Sequence, residues 1–248
     1  EMQRSLVGSE MCIRDRYLIL YHTFYQSGTG AFPMDMQALS AYIWLQQAFL
    51  ALFMVWDMDN DIFELISSGN IAYELCRPCD LYSMIFFRTL GSRLARAVLR
   101  CFPILLVAAL LPSPYGIRLP PSWGAAGLFL VSFLLGALVV GAFCMLIYIS
   151  AFFTISPMGV RLVAVAVVDF FSGAIIPLPF FPEKLQVIFS LLPFGSMQNV
   201  PYRIYGGDLA GLPALVSILI QAFWLLALLL LGRLMMRKAL QRVVIQGG

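Results

Sequence analysis

Several polar groups in this chain have spacings that chemistry could use. Asp57-Met58-Asp59-Asn60-Asp61 starts as a calcium loop does. Such a loop takes Gly at its sixth position and a bidentate Glu at its twelfth, and here those places hold Ile62 and Ser68. The run is therefore read as a helix start, with Asp59 or Asn60 as the cap. Cys76-Arg77-Pro78-Cys79 has C-x-x-C spacing. A zinc site needs a second such pair, and a redox site needs a thioredoxin-like frame. Neither accompanies it, so no metal is assigned. Arg93, Arg96 and Arg100 recur at i, i+3, i+7 and are read as one helix face turned to solvent or lipid headgroups. Asp169 stands alone in the apolar run VRLVAVAVVDFFSGAIIP. A carboxylate at a bilayer centre costs about 2.5–3.5 kcal/mol on insertion scales, so it usually faces a bundle interior or a water-filled cavity. Asp169 is then either a pathway or gating residue, or a carboxylate in the outer third of a span that bonds Ser172 or a neighbouring helix. The single histidine, His22, reads as an interfacial structural residue. No Ser-His-Asp arrangement and no HExxH is present to suggest an intramembrane hydrolase, and no nucleic acid is expected as a partner.

The elements that must position these groups are membrane elements. The chain of 248 residues is 61% hydrophobic and 12% charged, whereas soluble domains run near 45–50% and about 25%. Its apolar runs are continuous, as helices require, and not the short alternating segments of a transmembrane barrel. The fold class is all-α, a polytopic membrane bundle. Residues 1–16, EMQRSLVGSEMCIRDR, are charged, lack a signal-peptide core and resemble a vector- or adapter-derived leader. Residues 17–248 then form one transmembrane domain. YLILYHTFYQ reads as the tail of a truncated first span. Further spans are expected at Gln37–Trp56, with Trp44 and Trp56 as interfacial anchors, at Cys101–Leu111, at Trp123–Ile149, at Val160–Ile176 and at Leu212–Leu231. The glycines of the fourth (Gly124, Gly127, Gly136, Gly141) allow close helix approach and place it inside the bundle. Residues 177–211 are studded with proline, and the apolar piece Leu185–Leu192 is too short to span, which suggests a re-entrant outer region. The native protein is expected to have six spans.

Residues 57–100, the 150–161 turn and the C-terminal tail carry Arg77, Arg88, Arg93, Arg96, Arg100, Arg161, Arg233, Arg237, Lys238 and Arg242, against Arg118, Lys184 and Arg203 on the other side. The positive-inside rule puts the first group, and both native termini, in the cytoplasm. The 57–100 segment is expected to form a capped helix with Ile62, Phe63, Leu65 and Ile66, a glycine stop at Gly69, an extended piece ending at Pro78, and an amphipathic helix capped by Asp80 that runs to Arg100.

Residues 66–82, ISSGNIAYELCRPCDLY, resemble the loop between the second and third spans of type-2 ABC transporter permeases, and more closely a bacterial subgroup with the pattern I..G.IA..L.RP.DLY. The order of GAIIPLPFFP (173–182), LPF (192–194) with Pro201 and Gly206, and a basic tail agrees with it. The resemblance covers about residues 17–248. It implies a non-enzymatic permease subunit of an ABC exporter in the bacterial cytoplasmic membrane, partnered by a separate ABC ATPase that binds the ATP and Mg²⁺, and by a second permease copy or sister permease. This chain itself has no Gly-Lys dipeptide and hence no Walker A motif; no cofactor is expected on it. The resemblance further implies that Glu64, Gly69, Glu74, Arg77 and Pro78 shape a coupling element for the ATPase, and that Asp169, Pro177 and Pro179 lie along the translocation path. The alternatives are a secondary transporter using Asp169 as an ion or proton site, or a membrane scaffold without transport.

Overall fold

A computed structural model describes residues 33–241, apart from Arg77, Ile155 and Ser156, together with Thr23. The expected leader, the expected first-span stretch with His22 (Thr23 apart), Arg77 and the end of the tail from Arg242 lie outside the described residues. Within them the fold consists of ten α-helices and one 3-10 helix, with no strand.

The chain enters through α1 (Met36–Ala48) and α2 (Leu50–Phe53), which continue one helical line interrupted at Phe49. Both are almost wholly buried. Trp44 is not an interfacial anchor: it is 8% exposed and its Nε1 donates to the Tyr115 carbonyl at 2.7 Å. Two short helices follow, α3 (Asn60–Ser67) and α4 (Ile71–Leu75); α4 replaces the expected extended piece. Then α5 runs unbroken for 30 residues from Leu81 to Leu110. The expected amphipathic helix and the Cys101–Leu111 span are thus one element. Pro103 inside it removes one backbone donor, but apolar helix-forming sequence on both sides carries the helix through.

Helix α6 (Trp123–Ser150) is the centre of the molecule, with Val139, Val140, Ala142, Cys144, Met145, Tyr148 and Ile149 at 0% exposure. Gly136 and Gly141 supply its close approaches: a Cβ at Gly136 would stand 2.1 Å from the Met197 carbonyl oxygen, and one at Gly141 would stand 3.2 Å from the Phe86 ring. After it comes α7 (Pro157–Phe171), only 15 residues and hence about 22 Å long. That is short of the roughly 30 Å hydrocarbon core. The expected fifth span to Ile176 ends early because Gly173 turns the chain at φ +78° and Pro177 prevents the helix from resuming. The 3-10 turn Leu178–Phe180, α8 (Glu183–Leu191) and α9 (Asn199–Gly206) make up the short-helix region that follows. Helix α10 (Leu212–Leu240) packs along α6 and extends nine residues past the expected span, taking in Arg233, Arg237 and Lys238. Among the described residues, α6 and α10 are each long and apolar enough to cross a membrane by length and composition.

Candidate coupling element and its arginine clamp

The projection between α2 and α5 is built from caps that the sequence encodes locally. Asp59 Oδ1 accepts from the Asp61 N–H at 3.0 Å and starts α3. The helix stops at Ser68, and Gly69 follows at φ +77°, a conformation glycine adopts without strain. Asp80 starts α5 by accepting from the Ser83 N–H at 3.0 Å and the Ser83 hydroxyl at 2.7 Å. The Ser83 hydroxyl does most to hold the Asp80 carboxyl below its ordinary range, against a smaller desolvation, and Arg233 and Arg237 of α10 add a weaker attraction. Ile62, Ile66 and Ile71 point inward and are buried. Glu64, Gly69 and Pro78 are exposed and Glu74 is half-buried, so four of the five expected coupling residues share one helix–turn–helix projection; Arg77 lies outside the described residues. At the tip Tyr73 is 76% exposed.

What holds this projection is a clamp of arginines. Arg93 is not part of a solvated stripe: it is 1% exposed. Its Nη1 donates to the carbonyls of Leu52 (3.3 Å) and Met54 (2.7 Å), and its Nη2 to the Asp57 carbonyl (3.0 Å) and the Cys144 sulfur (3.3 Å). Leu52 and Met54 lie at the C-terminus of α2, where helix carbonyls lack intrahelical partners and the helix dipole is negative. A buried guanidinium there satisfies acceptors that lipid could not. One turn along α5, Arg96 pairs with the Asp57 carboxylate at 2.7 Å. One turn and a half back, Arg88 reaches Asp59 at 2.9 Å and Asp61 at 3.5 Å. From α7, Arg161 donates to Asn60 Oδ1 at 2.9 Å and to the Trp56 carbonyl. From α6, the Tyr148 hydroxyl accepts from the Asp59 N–H at 2.8 Å, and its ring lies 4.9 Å from that of Phe63. Residues 52–61 are therefore fastened to α5, α6 and α7 at once. The C-terminus of α10 joins them: a Cβ on Gly232 would stand 2.8 Å from the Tyr82 hydroxyl, and the Arg233 guanidinium lies 5.9 Å from the Tyr82 ring centre.

The spacing of Arg93, Arg96 and Arg100 was visible, but the partners of Arg93 and Arg96 at Leu52, Met54 and Asp57 lay some forty residues upstream. A usable signal was the cluster of acids at 57, 59 and 61 ahead of the four arginines of α5, two of which, Arg88 and Arg96, pair with it. Arg161 was marked only as a positive charge of the cytoplasmic side, and nothing marked Tyr148.

At the other end of α7 the expected path residues occupy the helix break. Asp169 is half-buried in the last turn; Pro177 and Pro179 are buried beyond it. The break is tied to α1 and to the start of α9 by side chains. Gln46 Nε2 donates to the Ala174 carbonyl at 2.8 Å, the Tyr42 hydroxyl to that of Gly173 at 3.3 Å, and Gln198 Nε2 to the Ser172 hydroxyl at 3.1 Å. Gln186 Nε2 donates to the carbonyls of Pro179 (2.8 Å) and Phe181 (2.7 Å). Non-helical backbone at membrane depth needs such partners.

A family model described as ABC-2 family transporter protein matches residues 15–247. No curated protein and no solved structure matches the chain. A helical membrane bundle with a capped projection at one end, matched over nearly its whole length, belongs to the ABC-2 family of transporter membrane proteins.

Proposed function

We propose that this chain is the permease subunit of an ATP-driven ABC exporter in the bacterial cytoplasmic membrane, and that residues 59–80 receive the stroke of a separate ATPase. The observation that carries the reading is the arginine clamp. A segment held by α5, α6 and α7 together moves those helices when its tip is pushed, whereas a loosely tethered loop would absorb the motion. Glu64, Gly69, Glu74, Arg77 and Pro78 shape the tip. ATP and Mg²⁺ bind on the ATPase; this chain and a second permease copy, or a sister permease, enclose the path. Both native termini lie on the ATPase side. Motion of α7 reaches the break at Ser172–Ala174, where Asp169, Pro177 and Pro179 border the outer mouth.

The test is affinity purification of the full-length protein from native membranes after gentle solubilisation. A stoichiometric ATPase that co-purifies with the wild type, and is lost with Gly69→Pro or Arg77→Glu, supports the coupling role. If no ATPase accompanies the chain while other membrane complexes survive the same solubilisation, the permease reading fails. Asp169→Asn then reports on a proton-coupled carrier, which it abolishes; an ATP-driven permease loses only a few-fold in transport rate.

A further inference from the structure

At the end of the bundle opposite the clamp lies a cavity of about 130 Å³, lined among others by Asp35, Gln37, Arg118, Leu119, Tyr205 and Gly206. Its walls are fixed. The 112–121 loop is laced to α1 by Gln37 Nε2 donating to the Ser113 hydroxyl (2.7 Å), the Ser40 hydroxyl to the Pro114 carbonyl (2.9 Å) and the Trp44 indole to the Tyr115 carbonyl. At the back, Gly206 approaches α1 so closely that a Cβ would stand 3.3 Å from that of Ala38.

Asp35 and Arg118 bring opposite charges to the lining of this space. Arg118 spends one N–H on Gln37 Oε1 at 3.2 Å, which aims the guanidinium and leaves donors over. Asp35 precedes α1, yet its carboxylate caps no backbone N–H. Arg203 closes up with Asp208, and Arg96 with Asp57. Among the described residues Asp35 and Arg118 form no such pair, although both line one small cavity.

We propose that this cavity binds a small zwitterion, its ammonium on Asp35 and its phosphate on Arg118. A guanidinium fork suits a phosphate, and an exposed carboxylate suits a primary ammonium. The volume lies well below the roughly 300–1,000 Å³ of sites for drug-sized ligands. Leu119, Trp123 and Leu212 stand 83%, 94% and 73% exposed at this end of the bundle, apolar and aromatic surface of the kind that meets lipid at a membrane interface. The ammonium–phosphate group can come from an ethanolamine phospholipid or from a free solute. The inference is independent of ATP coupling and of transport direction.

The experiment is thermal unfolding of the full-length protein in detergent, with phosphoethanolamine, inorganic phosphate or ethanolamine added. Saturating phosphoethanolamine raises Tm by about 2–4 °C, and phosphate or ethanolamine alone does so by less than half as much. Asp35→Asn and Arg118→Gln abolish the shift with their unliganded Tm unchanged. Asp35→Glu and Arg118→Lys, which keep the charges, retain part of it and so separate ligand loss from misfolding. In nanodiscs, a higher Tm in phosphatidylethanolamine than in phosphatidylglycerol identifies the lipid source; a response to the soluble compound in both identifies a free solute. A wild-type protein that responds to neither form overturns the proposal, as does an equal response to phosphate alone that survives Asp35→Asn.

Discussion

Arg93 Nη1 donates to the Met54 carbonyl at 2.7 Å, joining positions 39 residues apart and closing the end of one buried helical line with a side chain from the middle of another. Because Arg93 is buried and donates to three carbonyls and a sulfur, the contact is a cap and not an ion pair. Removing it strands acceptors in a buried place, and each buried unsatisfied acceptor costs about 1–3 kcal/mol. Arg93→Leu is expected to lower the Tm of the purified protein by about 5–15 °C. Arg93→Lys recovers less than half of that, since an ammonium cannot span the carbonyls of Leu52, Met54 and Asp57 together. A wild-type Tm in Arg93→Leu removes the cap from the account.

Arg88 plays a different part from Arg93. Its side chain is 45% exposed, and so its pair with Asp59 adds little to stability, about 0–1 kcal/mol. Its value is geometric, because it ties the first residue of the projection to α5. Arg88→Glu is expected to leave Tm within about 3 °C of wild type while transport per ATP hydrolysed falls several-fold in vesicles containing the ATPase. Combining it with Asp59→Arg restores part of the ratio. Equal losses of transport and hydrolysis would instead place Arg88 in assembly.

The legible parts of the fold were those set by neighbours in the chain. Asp59, Gly69 and Asp80 are cap residues whose roles depend on the next three or four positions, and each is where the pattern puts it. The break of α7 was half-legible: Gly173 and Pro177 were in view, but the largely apolar run continuing to Ile176 hid how early the turn comes. The fusion of α5 was hidden because charge in a helix reads as exposure. Arg93 escapes that rule through carbonyls that only the three-dimensional fold brings to it. The same blindness covers the Asp35–Arg118 cavity, whose two charges are separated by the whole of α1 to α5.

Two glycines of α6 offer a controlled comparison within one helix. Around Gly127 nothing lies within 4 Å of an added Cβ, whereas at Gly136 that atom would meet the Met197 carbonyl at 2.1 Å and Phe53 at 3.2 Å. Gly127→Ala is expected to be neutral or stabilising by up to about 1 kcal/mol, the helix-propensity gain. Gly136→Ala has to displace backbone and is expected to destabilise by about 2–4 kcal/mol, as overpacked sites do. Thermal unfolding of the two variants side by side checks both signs. If Gly136→Ala tracks Gly127→Ala, then α6 does not lie against the Met197 carbonyl as described.

Asp80 gives the projection a pH dependence with a definite sign. Its carboxyl is held below the ordinary carboxylate value chiefly by the Ser83 hydroxyl, so the folded state favours the ionised form. Ionisation therefore contributes stability that is fully present above the unfolded-state value of about 3.9 and is lost as pH falls through the lower folded-state value. Asp80→Asn keeps a cap acceptor but no charge to titrate. Its stability at neutral pH is expected to fall by up to about 1 kcal/mol, and the gap to wild type should shrink steadily below about pH 4. Hydrogen exchange at the first turn of α5, measured from pH 7 down to the acid limit of the detergent complex, reads this locally. A gap that stays constant with pH, or widens towards acid, contradicts the assigned role of the Asp80 charge.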